Sequence, residues 1–239
     1  MDITVYATYD DVQENKIPGN LVVVVDVFRA TSTIITSLNN GCKGIIPVVE
    51  IEEAMALYKN GEKGEYLLGG EREALKIEGF HLSNSPNEYT RNVVEGRMII
   101  FTTTNGTKAI RKAEGADKII LGALINAEAI AQYILSKDED VVFICAGTEG
   151  QFSLDDIVTV GAIISRIAAH DISLELDDLG FVCRYMYDSY SDNLESVIKN
   201  CRHYNILKEA GYYDDITYCL KEDVISIVPR YVDGIITAK

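Results

Sequence analysis

Short apolar runs alternate with segments of helical periodicity along the first two-thirds of the chain. The apolar runs predict strands at 3–7, 21–27, 44–48, 66–68, 97–102, 118–121 and 141–146. Helical patterns that end at a glycine lie between several of these strands, at 31–40, 51–60 and 107–114. Strands of this length separated by helices predict a largely parallel sheet that is covered on both faces.

The pattern changes after residue 146. A long helix is predicted at 154–169, residues 175–222 are mostly helical, and 225–236 is expected to return as a strand. Ser85 followed by Pro86 is typical of an N-cap and first helical position, and predicts another helix there. No linker rich in proline, glycine or serine interrupts the chain, so residues 1–239 are predicted to form a single α/β domain with a helix-rich C-terminal part.

The composition narrows the class of protein. The 239 residues are 47% hydrophobic and 25% charged, which is ordinary for a globular protein. The net charge of −15 argues against a nucleic-acid partner, and it requires any anion site to be a local exception. No apolar run reaches the ~18–20 residues of a membrane span, and the N-terminal segment lacks the pattern of a secretory signal, so we expect no membrane partner and a cytoplasmic location. Five cysteines without a CxxC pair, with only three histidines, argue for reduced thiols and against a zinc cluster.

The stretch DVFRATSTI at 26–34 follows four consecutive valines without a turn residue. Asp26 therefore ends a predicted buried strand, while Arg29, Thr31 and Ser32 lie near the start of the next helix. Unpaired N–H groups and hydroxyls at a helix start can bind phosphate or sulfonate, and Asp26 could ligate a divalent cation or attack phosphorus. In the alternative interpretation the hydroxyls only cap the helix and Asp26 pairs with Arg29.

The stretch FTTTNGTKAI at 101–110 also leads from a strand through a polar loop into a helix. This layout suits capture of an anion by backbone N–H groups. It differs from the GxxxxGK[ST] phosphate-binding loop, because a single glycine cannot wrap a triphosphate in that way. The alternative is a short connection in which Asn105 and Gly106 supply the turn.

The stretch GGERE at 69–73 presents opposite charges at the end of a predicted strand. Glu71 is a candidate metal ligand, and the planar guanidinium of Arg72 could clamp phosphate or sulfonate with two hydrogen bonds. The alternative is a surface ion pair. The following loop, GFHLSNSP at 79–86, brings His81 and Asn84 within reach of such a site, although a solvated side chain is the favoured interpretation for His81.

The stretch CAGTEGQFSLDD at 145–156 repeats the strand–loop–helix form. Asp155 and Asp156 fall in the first helical turn, where acids complement the helix dipole. Paired carboxylates could equally hold Mg²⁺, which prefers carboxylate oxygens and retains several of its waters.

Several common catalytic templates are excluded by the residues present. The arginine of a C-x5-R phosphatase is replaced by Gln151 after Cys145 and by Val48 after Cys42. The second acid of a DxDx[TV] phosphatase is replaced by Phe28. No GxSxG, HExxH or GxGxxG motif occurs.

Taken in chain order, DVFRATSTI, GER with GF-L-NSP, TTTNGT, CAG-EG-FSLDD and CLKEDVISIVP resemble the 2-phosphosulfolactate phosphatase family. The matching segments run from residue 26 to residue 229. The resemblance implies a three-layer α/β/α fold with a mostly parallel or mixed central sheet. It also implies a Mg²⁺-dependent phosphoric monoester hydrolase that converts 2-phospho-3-sulfolactate, a small phosphorylated and sulfonated anion, to 3-sulfolactate and phosphate in coenzyme M biosynthesis.

Roles for individual residues are predicted by combining this reaction with the local chemistry of the stretches described above. The expected catalytic residues are Asp26, Arg29 and Arg72. The expected Mg²⁺ ligands are Asp26, Glu71, Asp155 and Asp156, with a phospho-aspartyl nucleophile as the second role considered for Asp26. The expected substrate-binding residues are Thr31, Ser32, Asn84, Thr103, Thr104, Asn105, Gly106 and Lys108.

Two alternatives to this function stay open. The protein could hydrolyse another small phosphorylated hydroxy acid, or it could be a non-catalytic anion-binding protein on the same scaffold. His81 and Ser83 stand where the family more commonly has aspartate and glycine, which leaves metal affinity or substrate choice open at those positions. A homodimer is the default assembly for an enzyme of this kind.

Overall fold

The structure is a computed structural model that describes residues 1–61, 64–137, 139–170 and 172–238. Its strands are β1 (Asp2–Tyr6), β2 (Leu21–Val25), β3 (Gly44–Pro47), β4 (Tyr66–Arg72), β5 (Leu75–Lys76), β6 (Met98–Thr102), β7 (Lys118–Gly122), β8 (Val141–Cys145), β9 (Glu175–Leu176), β10 (Arg230–Val232) and β11 (Ile235–Thr237). Its helices are α1 (Ala30–Asn39), α2 (Ile51–Asn60), α3 (Arg91–Val94), α4 (Gly106–Lys112), α5 (Ala127–Leu135), α6 (Leu154–Ala168), α7 (Asp178–Tyr190), α8 (Glu195–Ile198), α9 (Arg202–Glu209) and α10 (Tyr213–Cys219).

Most predicted elements are confirmed with small shifts at their ends, but two segments differ. The helix predicted to open at Ser85 and Pro86 is present with those residues at its N-cap and first position, but it is only a short 3₁₀ helix, Pro86–Glu88. The C-terminal segment returns as a hairpin of two strands, β10 and β11, instead of one strand. Within the described ranges, no helix is both long enough and apolar enough to cross a membrane.

The strands form a mixed sheet in the order β5-β4-β6-β3-β11-β10-β7-β2-β8-β1-β9. Strands β4, β6 and β3 are parallel to one another, as are β7, β2, β8, β1 and β9. The hairpin β10–β11 lies between these two blocks and pairs antiparallel with β7 on one side and with β3 on the other. The predicted α/β class is confirmed, with a sheet that is mixed because this hairpin joins its two parallel blocks.

Strand β2 shows why the sheet is covered on both faces. All five of its residues are buried, and alternate side chains along a strand point to opposite faces. Val22 and Val24 pack in one apolar cluster with side chains of α1 and α4. Val23 and Val25 pack in another with side chains of α5 and α6. The helices on the two faces and the sheet between them make three layers, as the family resemblance implied.

The C-terminal helices α8, α9 and α10 pack beyond the carboxyl end of β2. Their apolar side chains share a cluster with Val27 and Phe28, which directly follow that strand, and with Val158 and Ala162 of α6. The polar ends of β2, β4, β6 and β8 therefore lie beneath a helical cover that comes from a distant part of the chain.

Candidate active site

Asp26 lies at the carboxyl end of β2 and is 6% exposed. Its Oδ1 accepts a hydrogen bond of 3.2 Å from the backbone N–H of Ala30 at the start of α1. Gly106, the first residue of α4, lies directly against the carboxylate, since a Cβ there would be 2.5 Å from Asp26 Oδ2. The hydroxyls of Thr31 and Ser32 donate to the carbonyl oxygens of Asp26 and Val27, so both are taken up by the local backbone, but neither hydroxyl caps the start of α1.

Glu71, at the end of β4, ties together two loops that border Asp26. Its Oε1 accepts a hydrogen bond of 2.8 Å from the N–H of Thr104, and its Oε2 accepts one of 2.9 Å from the N–H of Ala74. The next side chain, Arg72, donates to the carbonyl of Val49 at 2.7 Å and to its own neighbour's carbonyl at 2.8 Å. Arg72 therefore braces the backbone near the strand end, while Glu71 positions the loop that carries Thr104.

Arg29 forms a buried ion pair with Asp215 of α10. The Nη1–Oδ2 distance is 2.7 Å, and the two side chains are 1% and 3% exposed. The guanidinium also donates to the carbonyl of Ala74 at 2.8 Å and lies 4.1 Å from the centre of the Tyr212 ring. Asp215 is the acid that holds Arg29, so the alternative in which Asp26 pairs with Arg29 is not the arrangement in the structure.

Asp155 and Asp156 begin α6 next to this site but have different surroundings. The carboxylate of Asp156 accepts the N–H groups of Val27 at 3.0 Å and Gly147 at 3.1 Å, which fixes the loops after β2 and β8. Asp155 is 1% exposed, and neither of its oxygens has a hydrogen-bond partner among the described residues. The nearest basic group is His203, whose Nδ1 is 3.7 Å from Asp155 Oδ2.

A cavity of about 70 Å³ forms where these elements meet. Of the predicted site residues, those lining it are Asp26, Arg29, Glu71, Asn84, Thr104 and Asn105. An adjoining cavity of about 230 Å³ contains Asp155 in its wall and shares Thr148 and His203 with the first. A larger cavity of about 510 Å³ opens beside Lys118 and Arg230 at the other end of β7. It is lined by none of the predicted site residues, so it is not the candidate active site despite its size.

The other predicted residues lie around these cavities without forming their described walls. Asp156 and Gly106 touch the site through the contacts given above. The remaining side chains are Thr31, Ser32, Arg72, the exposed Lys108, and Thr103, whose hydroxyl accepts the N–H of Thr107 at 3.2 Å. His81 accepts the N–H of Leu68 at 3.0 Å and is not among the residues that line either cavity.

Burial disfavours the charged forms of Asp26 and Asp156. Burial raises the pKa of Asp26 to about 6, and the charges of Asp155 and Glu71 add to this effect. Burial, together with the charges of Asp155 and Asp26, raises the pKa of Asp156 well above its ordinary value. Burial opposes the charged form of His203, but the neighbouring carboxylates of Asp155 and Asp26 outweigh it and raise the pKa of the imidazole. The site therefore favours a positive group beside its carboxylates.

Three residues of the candidate site were not predicted from the sequence: Arg202, His203 and Asp215. His203 lines both cavities, and Asp215 holds Arg29 across 186 positions of sequence. Arg202 and His203 could have been noticed in the sequence, because they are adjacent basic residues in the acidic C-terminal part of a chain that has only three histidines. Nothing local to Asp215 distinguishes it from the acids around it.

The chemistry of the donor set fits a hydrated Mg²⁺. In the described part of the chain, no group of three or more His, Cys, Asp or Glu side chains is arranged to enclose a metal ion. Mg²⁺ does not require one, because it is commonly held by one or two carboxylates with waters and substrate phosphate oxygens. The unpaired oxygens of Asp155 and the unpaired Oδ1 of Asn84 are buried acceptors of the kind that such an ion would satisfy.

Buried carboxylates beside a fixed arginine, gathered at strand ends of an α/β sheet, are the groups of an enzyme of phosphoryl transfer. Comparison with known proteins agrees with this class. The model of the 2-phosphosulpholactate phosphatase family matches residues 6–234, and the chain belongs to that family.

Curated relatives extend over almost the whole chain. A "Probable 2-phosphosulfolactate phosphatase" of Clostridium tetani is 49% identical over 236 residues, which cover 99% of this chain and 100% of the relative. A protein of the same name from Clostridium kluyveri is 48% identical, with 99% and 97% covered. Another, from Caldanaerobacter subterraneus subsp. tengcongensis, is 46% identical, with 99% and 98% covered. The resemblance read from the sequence motifs is thereby confirmed.

Proposed function

We propose that this protein hydrolyses 2-phospho-3-sulfolactate to 3-sulfolactate and inorganic phosphate with the help of Mg²⁺. The observation that carries the proposal is the meeting of Asp26, Arg29 and the unpaired oxygens of Asp155 at two adjoining cavities. Acids alone would repel an anionic ester. The fixed guanidinium and a cation held by the carboxylates would together attract the ester and balance the charge that develops on the phosphoryl group.

Arg29 is the group assigned to the phosphoryl oxygens. Its position is set from three directions, by Asp215, the carbonyl of Ala74 and the ring of Tyr212, so little reorganisation is needed when substrate binds. Glu71 contributes indirectly, because its two hydrogen bonds hold the loop that places Thr104 in the cavity wall. These contacts orient the phosphate with respect to Asp26.

Asp26 and Asp155, with the amide oxygen of Asn84, are the groups proposed to hold Mg²⁺. When bound, the ion would neutralise phosphoryl charge and activate water. His203 is the residue proposed to move a proton. Because its Nδ1 lies toward Asp155, the Nε2 atom is left to protonate the ester oxygen as the hydroxyl of sulfolactate departs. The phospho-aspartyl role of Asp26 remains the second mechanism.

The choice of substrate, Mg²⁺, the link to coenzyme M biosynthesis and a cytoplasmic location are parts of this proposal. Phosphate release would be measured for 2-phospho-3-sulfolactate, 2-phospholactate and 3-phosphoglycerate, each with Mg²⁺ and with a chelator. We expect Mg²⁺-dependent release that is fastest with the sulfonated ester. Faster release from another ester would support the alternative of a different hydroxy-acid phosphatase, and binding without release from any ester would indicate a non-catalytic protein.

A further inference from the structure

The described walls of the two adjoining cavities contain two arginines, Arg29 and Arg202, and no lysine. Arg202 is the first residue of α9, and its guanidinium pairs with Glu149, which follows β8 and lines the smaller cavity. The pair therefore lies across the mouth of the site, next to His203. A substrate with three acidic groups meets few positive groups there. Its binding therefore depends on whether each arginine is free to leave its acidic partner.

The two arginines differ in how readily they can exchange partners. The side chains of Arg29 and Asp215 are 1% and 3% exposed, and separating such a pair leaves a buried charge without its partner, which is strongly unfavourable. The side chains of Arg202 and Glu149 are 50% and 60% exposed, and exposed pairs of this kind contribute little to stability. Arg29 is thus fixed, while Arg202 can leave Glu149 for an incoming anion at little cost.

We propose that Arg202 binds the sulfonate of the substrate by exchanging Glu149 for it, and that this residue gives the enzyme its preference for a sulfonated ester. The inference rests on the proposed function and deepens it. In 2-phospho-3-sulfolactate the carboxylate shares a carbon with the phosphate ester, whereas the sulfonate lies one carbon further away. With the phosphate beside Arg29, the distal acid is the group that reaches the mouth of the cavity, where the planar fork of Arg202 can donate two hydrogen bonds to it.

The test compares substrates that differ in one acid. Kinetic constants would be measured for wild type and Arg202→Gln with 2-phospho-3-sulfolactate and with 2-phospholactate, which has a methyl hydrogen in place of the sulfonate. We expect Arg202→Gln to raise KM for the sulfonated ester about 10- to 100-fold, the value of hydrogen bonds to a charged group, with kcat nearly unchanged. KM for 2-phospholactate should change by less than about threefold, since an exposed pair contributes little.

Two further variants make the comparison specific. Arg184→Gln removes an arginine of similar exposure, paired with Asp188 on α7 and remote from both cavities, and should leave both esters unaffected. Glu149→Gln removes the competing carboxylate and should lower KM for the sulfonated ester by about two- to threefold. An equal effect of Arg202→Gln on both esters, or none on either, would overturn the inference.

Binding of 3-sulfolactate, measured by calorimetry, separates this inference from the proposed function. If wild type releases no phosphate from any ester, the proposed function fails, yet the titration still decides the role of Arg202. Weaker binding to Arg202→Gln than to wild type, with Arg184→Gln unchanged, supports the inference. Equal binding to wild type and Arg202→Gln, or no binding to wild type, refutes it.

Discussion

Replacing Asp26 with asparagine should stabilise the protein at neutral and alkaline pH while it removes activity. The pKa of the folded carboxyl is raised from 3.8 to about 6, chiefly by burial. An acid with a raised pKa holds its proton longer in the folded state than in the unfolded chain. Its contribution to stability is therefore full below about pH 4 and is lost as the pH rises through about 6.

The size of the effect follows from the shift. About two pKa units at ~1.4 kcal/mol each give a penalty on the order of 3 kcal/mol for the wild-type protein above about pH 7. Asparagine is neutral at every pH and similar in size, and its Oδ1 can still accept the N–H of Ala30. Asp26→Asn should thus be more stable by on the order of 3 kcal/mol at about pH 8, and the difference should vanish near pH 4.

The assay is urea unfolding from about pH 4 to about pH 8 in the presence of a chelator, with the free energy of unfolding compared at each pH. Asp192→Asn, an exposed acid, is the matched control and should follow the wild type. Mg²⁺ added at about pH 8 should stabilise the wild type more than Asp26→Asn, because ligands of the native state raise its stability. Equal stability of wild type and Asp26→Asn at alkaline pH would refute the assigned burial penalty.

Three other substitutions test the packing around the site. Gly106→Ala places a Cβ 2.5 Å from Asp26 Oδ2, so a shift of about 1 Å should slow phosphate release about 100-fold. Gly44→Ala, whose Cβ meets the side chains of Ile235 and Met98 instead of a site residue, should not slow release, and similar rates for both variants would contradict this. Asp215→Ala leaves Arg29 buried without its partner and should lower the free energy of unfolding by about 3–5 kcal/mol; a loss below about 1 kcal/mol would show that water reaches the guanidinium. Gly161→Ala places a Cβ 2.0 Å from a carbonyl oxygen of α7 and should destabilise the protein by about 3 kcal/mol in the same measurement, and a neutral effect would show that the two helices are less tightly packed.

Strand ends and helix starts were predictable because their signals are local. The valines of β2, the acid that follows them and the hydroxyls that open α1 are consecutive in sequence, and the same is true of the loop between β6 and α4. The carboxyl ends of the parallel strands were expected to bring polar residues together, and Asp26, Glu71 and Thr104 do lie around one cavity. The fold class could therefore be predicted from periodicity together with the family resemblance.

Long-range pairing could not be predicted in the same way. The β10–β11 hairpin inserts between β3 and β7, and no local pattern specifies which strands a late hairpin will join. Arg29 illustrates the same limit, since its partner Asp215 is one of many acids in the C-terminal part and is selected only when α10 packs over the site. Tyr212, which directly precedes α10, completes the same contact.

The central claim, that the buried acids around Asp26 hold a divalent cation for phosphoryl transfer, is tested most directly by the initial rate of phosphate release from 2-phospho-3-sulfolactate as Mg²⁺ is added. We predict a rate that rises from near zero to saturation in the wild type and stays near zero in Asp26→Asn at every Mg²⁺ concentration. A wild-type rate that is independent of Mg²⁺, or an Asp26→Asn rate close to that of the wild type, would contradict the account.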